Sequence, residues 1–180
     1  MRCIVWDCET TGLLLPSSAP LEKQPRIIEL GIVVVEDAQK VAEYNWLINP
    51  DCEITAEITK ITGITNEDLA DKPKFRELLG EIEEAFGVSD FGFCHNAPFD
   101  VGMMKNELAR CARTGFPFPK EMICTAQEYT HVMGKRPRLI HLYEHIMGVP
   151  LAQTHRALDD AIAVYEVLEK DGFFFKLEKM

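Results

Sequence analysis

Hydrophobic and polar positions are spread unevenly along the chain, and the unevenness marks its elements. Residues 3–9 form a short apolar run closed by a turn signal at Gly12, the pattern of a buried sheet strand. Residues 14–25 hold three prolines and two serines and must form a loop. The runs 26–36 and 40–48 are β-rich and split by Asp37, Ala38 and Gln39, which predicts a hairpin and, with the first run, three consecutive strands. Residues 54–65 suit a short helix running into a turn at Gly63, and Asn66 is a fitting N-cap for a helical turn to Ala70. The stretch 74–86 is helical in period, with Phe75, Leu78, Leu79, Ile82 and Phe86 on one side.

Beyond this the pattern alternates. A brief strand over 91–94 leads to a helix entered through Ala97 and Pro98 and running to about Arg113. The Phe-Pro-Phe-Pro stretch at 116–119 breaks it. A strand over 122–124, a helix to about Met133, a loop at 134–137, a helix over 139–147 and a loop over 148–153 follow, and Thr154 opens a last long helix ending near Gly172. Three strands first, then strands alternating with helices, predict a mixed α/β sandwich. At 180 residues the chain reads as a single domain, 1–180, long enough to bury a core without staples.

Against this pattern a few carboxylates are out of place. Alternation along the first strand puts Cys3, Val5, Asp7 and Glu9 on one face. Two bare anions in a low-dielectric site lose hydration and repel, at a cost of several kcal/mol each unless compensated. A solvated strand end would serve an isolated D-x-E equally well. On the helix from Pro98, Asp100 heads the stripe of Met103, Met104, Leu108 and Cys111. Read alone, a first-turn Asp merely complements the helix dipole, for about 0.3–1 kcal/mol. On the last helix, about 100° per residue puts Asp160 in line with Ala157, between Val164 and Val167, while Asp159 falls with Glu166 and Lys170 on the charged face. His155 lies just ahead. Four inward carboxylates from three elements require a cation if they converge. Hard oxygen donors without clustered Cys or His select Mg²⁺ or Mn²⁺ over Zn²⁺. Two such ions about 3.5–4 Å apart can activate a water and stabilise the leaving oxygen in phosphodiester hydrolysis, with His155 as proton acceptor.

Composition changes this picture in one respect. The net charge of −10 argues against a protein that coats nucleic acid by counterion release, though not against an enzyme gripping a few terminal nucleotides. No run approaches the roughly 18 apolar residues of a membrane span. Asp7 and Glu9 interrupt any signal-peptide core, so a cytoplasmic protein is expected. The six cysteines show no C-x-x-C pair and read as buried free thiols.

The segments Asp7-Cys8-Glu9-Thr10-Thr11-Gly12-Leu13, His95-Asn96-Ala97-Pro98-Phe99-Asp100 and His155-Arg156-Ala157-Leu158-Asp159-Asp160-Ala161 together resemble the three motifs of the DEDDh (DnaQ-like) 3′→5′ exonucleases. The branch they resemble holds the proofreading epsilon subunit of bacterial DNA polymerase III and its stand-alone or phage relatives. Each motif alone is weak; three in order at these separations are specific, and the likeness extends to about Leu168. It implies an RNase H-like mixed five-stranded sheet, three antiparallel strands then parallel ones, flanked by helices. It also implies two Mg²⁺ (or Mn²⁺) ions, one held by Asp7, Glu9 and Asp160 and the other by Asp7 and Asp100, with His155 as general base. By the same resemblance Thr10, Thr11, Leu13, Glu57 and Thr62 would touch the terminal nucleotide, and Asn96 and Phe99 would support the penultimate one. Two positions depart from the family: Thr62 stands where the proofreading subunit usually has His, and Cys124 where an Asp precedes Thr.

The expected activity is therefore 3′→5′ hydrolysis of mainly single-stranded DNA to nucleoside 5′-monophosphates. The alternatives are a ribonuclease T-type exoribonuclease acting on RNA ends, or a catalytically silent nucleic-acid-binding module, which would have no need of the full residue set. A polymerase or replication partner is compatible, but no clamp-binding tail is recognisable before Met180, so a stand-alone nuclease with no membrane partner is expected. His141-Leu142-Tyr143-Glu144-His145 is a literal H-x-x-E-H zinc motif, here on an ordinary amphipathic helix. The only concentrated basic patch is Lys135-Arg136-Pro137-Arg138, readable as a phosphate grip or as a solvated loop. His95 reads as a packed or capping histidine, and Phe173–Phe175 as a core cap or a partner surface.

Overall fold

The computed structural model describes residues 1–177; positions 178–180, the end of the expected domain, lie outside them. A five-stranded sheet forms the centre, in the order β3-β2-β1-β4-β5. β1 (Arg2–Thr10) pairs antiparallel with β2 (Ile27–Glu36), and β2 pairs antiparallel with β3 (Gln39–Leu47). On its other side β1 pairs parallel with β4 (Phe91–Cys94), which pairs parallel with β5 (Glu121–Cys124). This is the mixed sheet that the sequence predicts.

The pleat of β1 divides the core. Ile4, Trp6 and Cys8 face a cluster completed by α3 (Phe75–Phe86) and α4 (Ala97–Arg110). Cys3 and Val5 face the opposite cluster, built with α7 (Leu139–Met147) and α8 (Ala157–Lys170). The short helices α1 (Ala56–Thr62) and α2 (Asn66–Ala70) cover a third, smaller group around Ile28, Ile54, Ile64 and Leu69. β2 is buried on both faces up to Val35.

The sequence expectations fail at several element ends. α2 is capped by Thr65, whose hydroxyl accepts from the Asp68 amide (3.1 Å) while Asp68 accepts from the Thr65 amide (2.8 Å). Asn66 instead brackets the Ile54 backbone. α4 ends at Arg110 rather than Arg113. The helix expected to reach Met133 is two short pieces, α5 (Thr125–Glu128) and α6 (Thr130–Met133). α8 begins at Ala157, and His155 precedes it with a left-handed φ of 52°. A short α9 (Phe173–Leu177) ends the described chain. There Phe174 is buried edge-on against Phe93 and caps the core, while Phe175 points outward. The proline-rich loop is pinned: buried Gln24 bonds the backbone of Leu15 and Pro16, and the Arg110 guanidinium bonds the carbonyls of Leu21 and Gln24.

Candidate active site

The parallel strands β1 and β4 end at the same edge of the sheet, the position where open α/β sheets carry their crevices. A cavity of about 470 Å³ opens there. Asp7 enters it from β1, Asp100 from the first turn of α4, Asp160 from the first turn of α8, and His155 from the segment before α8. Glu9 lies against its rim: Glu9, His155 and Asp160 each offer a ligand atom within 4.8 Å of the others, the only such group of three among the described residues. Asp100 is 2 % exposed and Asp160 7 %, whereas Asp159 is exposed and accepts a 2.6 Å bond from the Thr154 hydroxyl. The helical phase that turned Asp160 inward and Asp159 outward is thus the observed one.

Charge crowding dominates the site. Burial pushes the Asp7 carboxyl well above the usual carboxylate range, and Asp100, Asp160, Glu9 and Glu29 push it further. Glu9 is pushed up to about 8, first by burial, then by Asp160, Glu29 and Asp100, with Arg156 opposing. Burial raises Asp100 to about 7, although its Oδ1 accepts bonds from the Cys8 amide and thiol, each 3.2 Å. Asp160 is raised by burial and held down by Gln153, whose amide donates at 3.0 Å, and by His155. Among the described residues no ion pair reaches any of the four. Hard oxygen donors sharing a negative field are the donor set that a hydrated divalent ion takes, so the residues fit such a group.

One buried acid beside the site escaped the sequence reading. Glu29 on β2 stands directly across from Glu9, on the same face, and is fully buried. It holds the Arg156 guanidinium through both oxygens (2.5–3.1 Å), takes Asn45 at 3.0 Å, and accepts the Ala157 amide at 3.0 Å. The last bond caps α8, with the negative charge at the positive end of the helix dipole. Two residues on, Gly31 lies under the same helix turn. A Cβ there would sit 2.5 Å from the Ala157 carbonyl carbon and nearer still to the Leu158 amide. β2 therefore seats the segment that carries His155 and Asp160. A lone Glu in the apolar run 27–35 was the available signal.

The remaining expected contacts are scattered. Asn96 and Phe99 line the cavity. Thr11 and Leu13 line a separate groove of about 490 Å³ with Lys23 and Arg26, and Leu13 is 81 % exposed. The Thr10 hydroxyl is spent on the Gly12 carbonyl (2.8 Å). Glu57 is exposed on α1, outside both hollows. Buried Thr62 donates to the Ile58 carbonyl and accepts from the Ile64 amide, which leaves its hydroxyl facing its own helix end. His141 and His145 are exposed on α7 and meet no third ligand among the described residues.

Comparison with known proteins agrees with this architecture. The family model RNase_T, described as Exonuclease, matches residues 4–168. The DNA polymerase III subunit epsilon of Treponema pallidum is 30% identical over 165 residues, covering 90% of this chain and 72% of that protein. A DNA polymerase III of PolC type from Clostridium perfringens is 32% identical over 98% of this chain, which spans only 11% of that polymerase. Among solved structures, exonuclease X in complex with 5′ overhanging duplex DNA superposes with a TM-score of 0.64 at 26% identity, covering 95% of this chain and 92% of that one. The nuclease domain of 3′hExo, a DEDDh family member bound to rAMP, shares the fold at a TM-score of 0.75 and 16% identity, covering 94% and 90%.

Proposed function

The chain belongs to the DEDDh exonuclease family, and we propose that it is a divalent-metal-dependent 3′→5′ exonuclease that removes nucleoside 5′-monophosphates from single-stranded DNA ends. The observation that carries the reading is that Asp7, Asp100 and Asp160 line one cavity with Glu9 at its rim, and that among the described residues none of the four is ion-paired. Asp7, Glu9 and Asp160 would hold one Mg²⁺ or Mn²⁺, and Asp7 with Asp100 a second. When bound, the ions supply Lewis-acid stabilisation of the phosphoryl oxygens and a lowered water pKa.

The protein's own groups do the rest. His155, beside Glu9 and Asp160, takes the proton of the attacking water and is free to pass it to solvent, since the ring is half-exposed. Asn96 and Phe99 would flank the path of the penultimate nucleotide, and Thr10, at the end of β1, with Thr11 and Leu13 on the turn after it, the terminal one. The likeness to a polymerase III epsilon subunit and to a nuclease seen on a DNA overhang supports DNA as substrate and is compatible with a polymerase partner.

The test is digestion of 5′-labelled single-stranded DNA and RNA with Mg²⁺, Mn²⁺ or EDTA. A DNA ladder shortening from the 3′ end, abolished by EDTA and by Asp7→Ala, is the expected result. A ladder that survives either treatment overturns the metal mechanism, and preferential loss of the RNA moves the substrate to RNA ends.

A further inference from the structure

Cations are the scarcer charge in this chain, 19 Lys and Arg against 29 Asp and Glu, and about half of those described find a carboxylate. Arg2, Lys40, Lys74, Arg110, Lys120 and Arg156, among others, are ion-paired. Lys135, Arg136 and Arg138 are exposed, and among the described residues none of the three reaches an acid. This is the loop between α6 and α7, and Arg136, Pro137 and Arg138 line the same cavity as Asp7, Asp100 and Asp160.

The loop is held in place by neutral groups. The Arg136 guanidinium donates to Asn96 Oδ1 at 2.8 Å and to Cys124 Sγ at 3.2 Å, contacts that aim it without cancelling its charge. Pro137 is buried, and its carbonyl meets His95 Nε2 at 3.1 Å, while His95 Nδ1 meets the Thr125 hydroxyl at 3.1 Å. Burial lowers the His95 pKa, which suits a neutral ring donating from Nε2 and accepting at Nδ1. Arg138 is the extended N-cap residue of α7, and Leu139 behind it is buried, so the loop is fixed at its far end too. His95 and Asn96 lead directly into the helix that carries Asp100. One short segment thus positions both an acid wall and a basic wall of the cavity.

We propose that residues 135–138 form a preorganised phosphate clamp, in which Arg136 and Arg138 grip the backbone phosphates of the strand upstream of the nucleotide being removed. The inference rests on the exonuclease reading above. A polyanion entering a cleft of a protein at −10 net charge is repelled by most of its surface. Unpaired cations at the mouth offset that repulsion where the strand must pass, and anchoring them beforehand lowers the ordering entropy lost on binding. The contacts are to phosphate, so they carry no base preference.

Two readouts on the full chain test this. The first is anisotropy of a labelled single-stranded oligonucleotide bound to Asp7→Asn protein, across a salt series, with and without Arg136→Gln/Arg138→Gln. Loss of two phosphate contacts should weaken binding about tenfold and flatten the slope of log K against log salt by about 1.4. The second uses otherwise unaltered enzyme. The double variant should raise KM for the oligonucleotide about tenfold while leaving turnover of the p-nitrophenyl ester of thymidine 5′-monophosphate, which has no upstream phosphate, unchanged. Arg136→Lys/Arg138→Lys should keep most of the salt slope. An unchanged slope and KM overturn the clamp, and so does equal loss on both substrates, which would mark the loop as merely structural. If the unaltered enzyme cleaves neither substrate, it is the exonuclease reading that fails.

Discussion

Glu9 and Glu29 face each other across β1 and β2, yet they live under opposite electrostatic regimes. Glu29 is fully buried and fully matched: a guanidinium, an amide side chain and a helix N–H take its oxygens. Glu9 accepts no hydrogen bond among the described residues, and with Asp7, Asp100 and Asp160 it shares a field that drives every member towards protonation. The fold can therefore satisfy a buried acid here, and does so for one and not for four. Matched acids hold the frame; unmatched ones are kept for something that arrives from outside.

The comparison breaks first at Asp7. Asp7→Asn should lower phosphodiesterase turnover by on the order of 10³ or more, because the proposed roles place it against both ions; residual activity near the unaltered level in a steady-state assay would mean that the unmatched set is not the reaction centre. His155→Ala should cut turnover on the order of 10² while leaving Mn²⁺ affinity nearly unchanged in calorimetry. A collapse of that affinity would instead make His155 a ligand, as its closeness to Glu9 and Asp160 allows.

Glu29→Gln sharpens the other side. Breaking a buried pair costs about 3–5 kcal/mol, and with the Arg156 side chain 38% exposed about 2–3 is the fair discount, a fall in Tm of about 5–10 °C. Asp7→Asn without metal should do the reverse, raising Tm by about 2–4 °C as one repelling charge leaves.

The last test is in pH. The folded protein binds protons at the unmatched carboxyls more tightly than the unfolded chain, so metal-free stability should fall as pH rises from about 4, where free carboxyls ionise, through the values of about 7 and 8 at Asp100 and Glu9. Calorimetric scans between pH 5 and pH 8 should show this decline, and excess Mg²⁺ should offset it more at pH 8 than at pH 5. A flat profile would mean that these carboxyls do not repel one another in the folded protein.

How much of this was legible in the sequence follows from where each signal lies. Asp7, Asp100 and Asp160 declared themselves because each breaks a local period, on a strand or along one helix face. The strand runs and the three motif segments were equally local. What stayed hidden depends on partners far along the chain. The start of α8 is set by Glu29, which accepts the amide of Ala157 from another strand, so Thr154 looked like the cap. His95 has its role only because Pro137 comes back to meet it. Thr62 stands at a position where the family usually has His, and its hydroxyl turns to the carbonyl four residues before it, a choice that the motif could not reveal.

The close seat of α8 on Gly31 has a consequence for how this protein can change. His155 and Asp160 flank the helix start that rests on Gly31, and a methyl group at position 31 would press on the backbone of Ala157 and Leu158 between them. Selection for altered chemistry meets a coupled pair there, where a single step disturbs both groups and no single step tunes one alone. The loop at 135–138 is tied more loosely: Lys135 and Arg138 are exposed, and among the described residues only Arg136 of its cations is bonded, to Asn96 and Cys124. New substrate ranges would thus arise by drift in the basic wall, over an acid wall that is frozen.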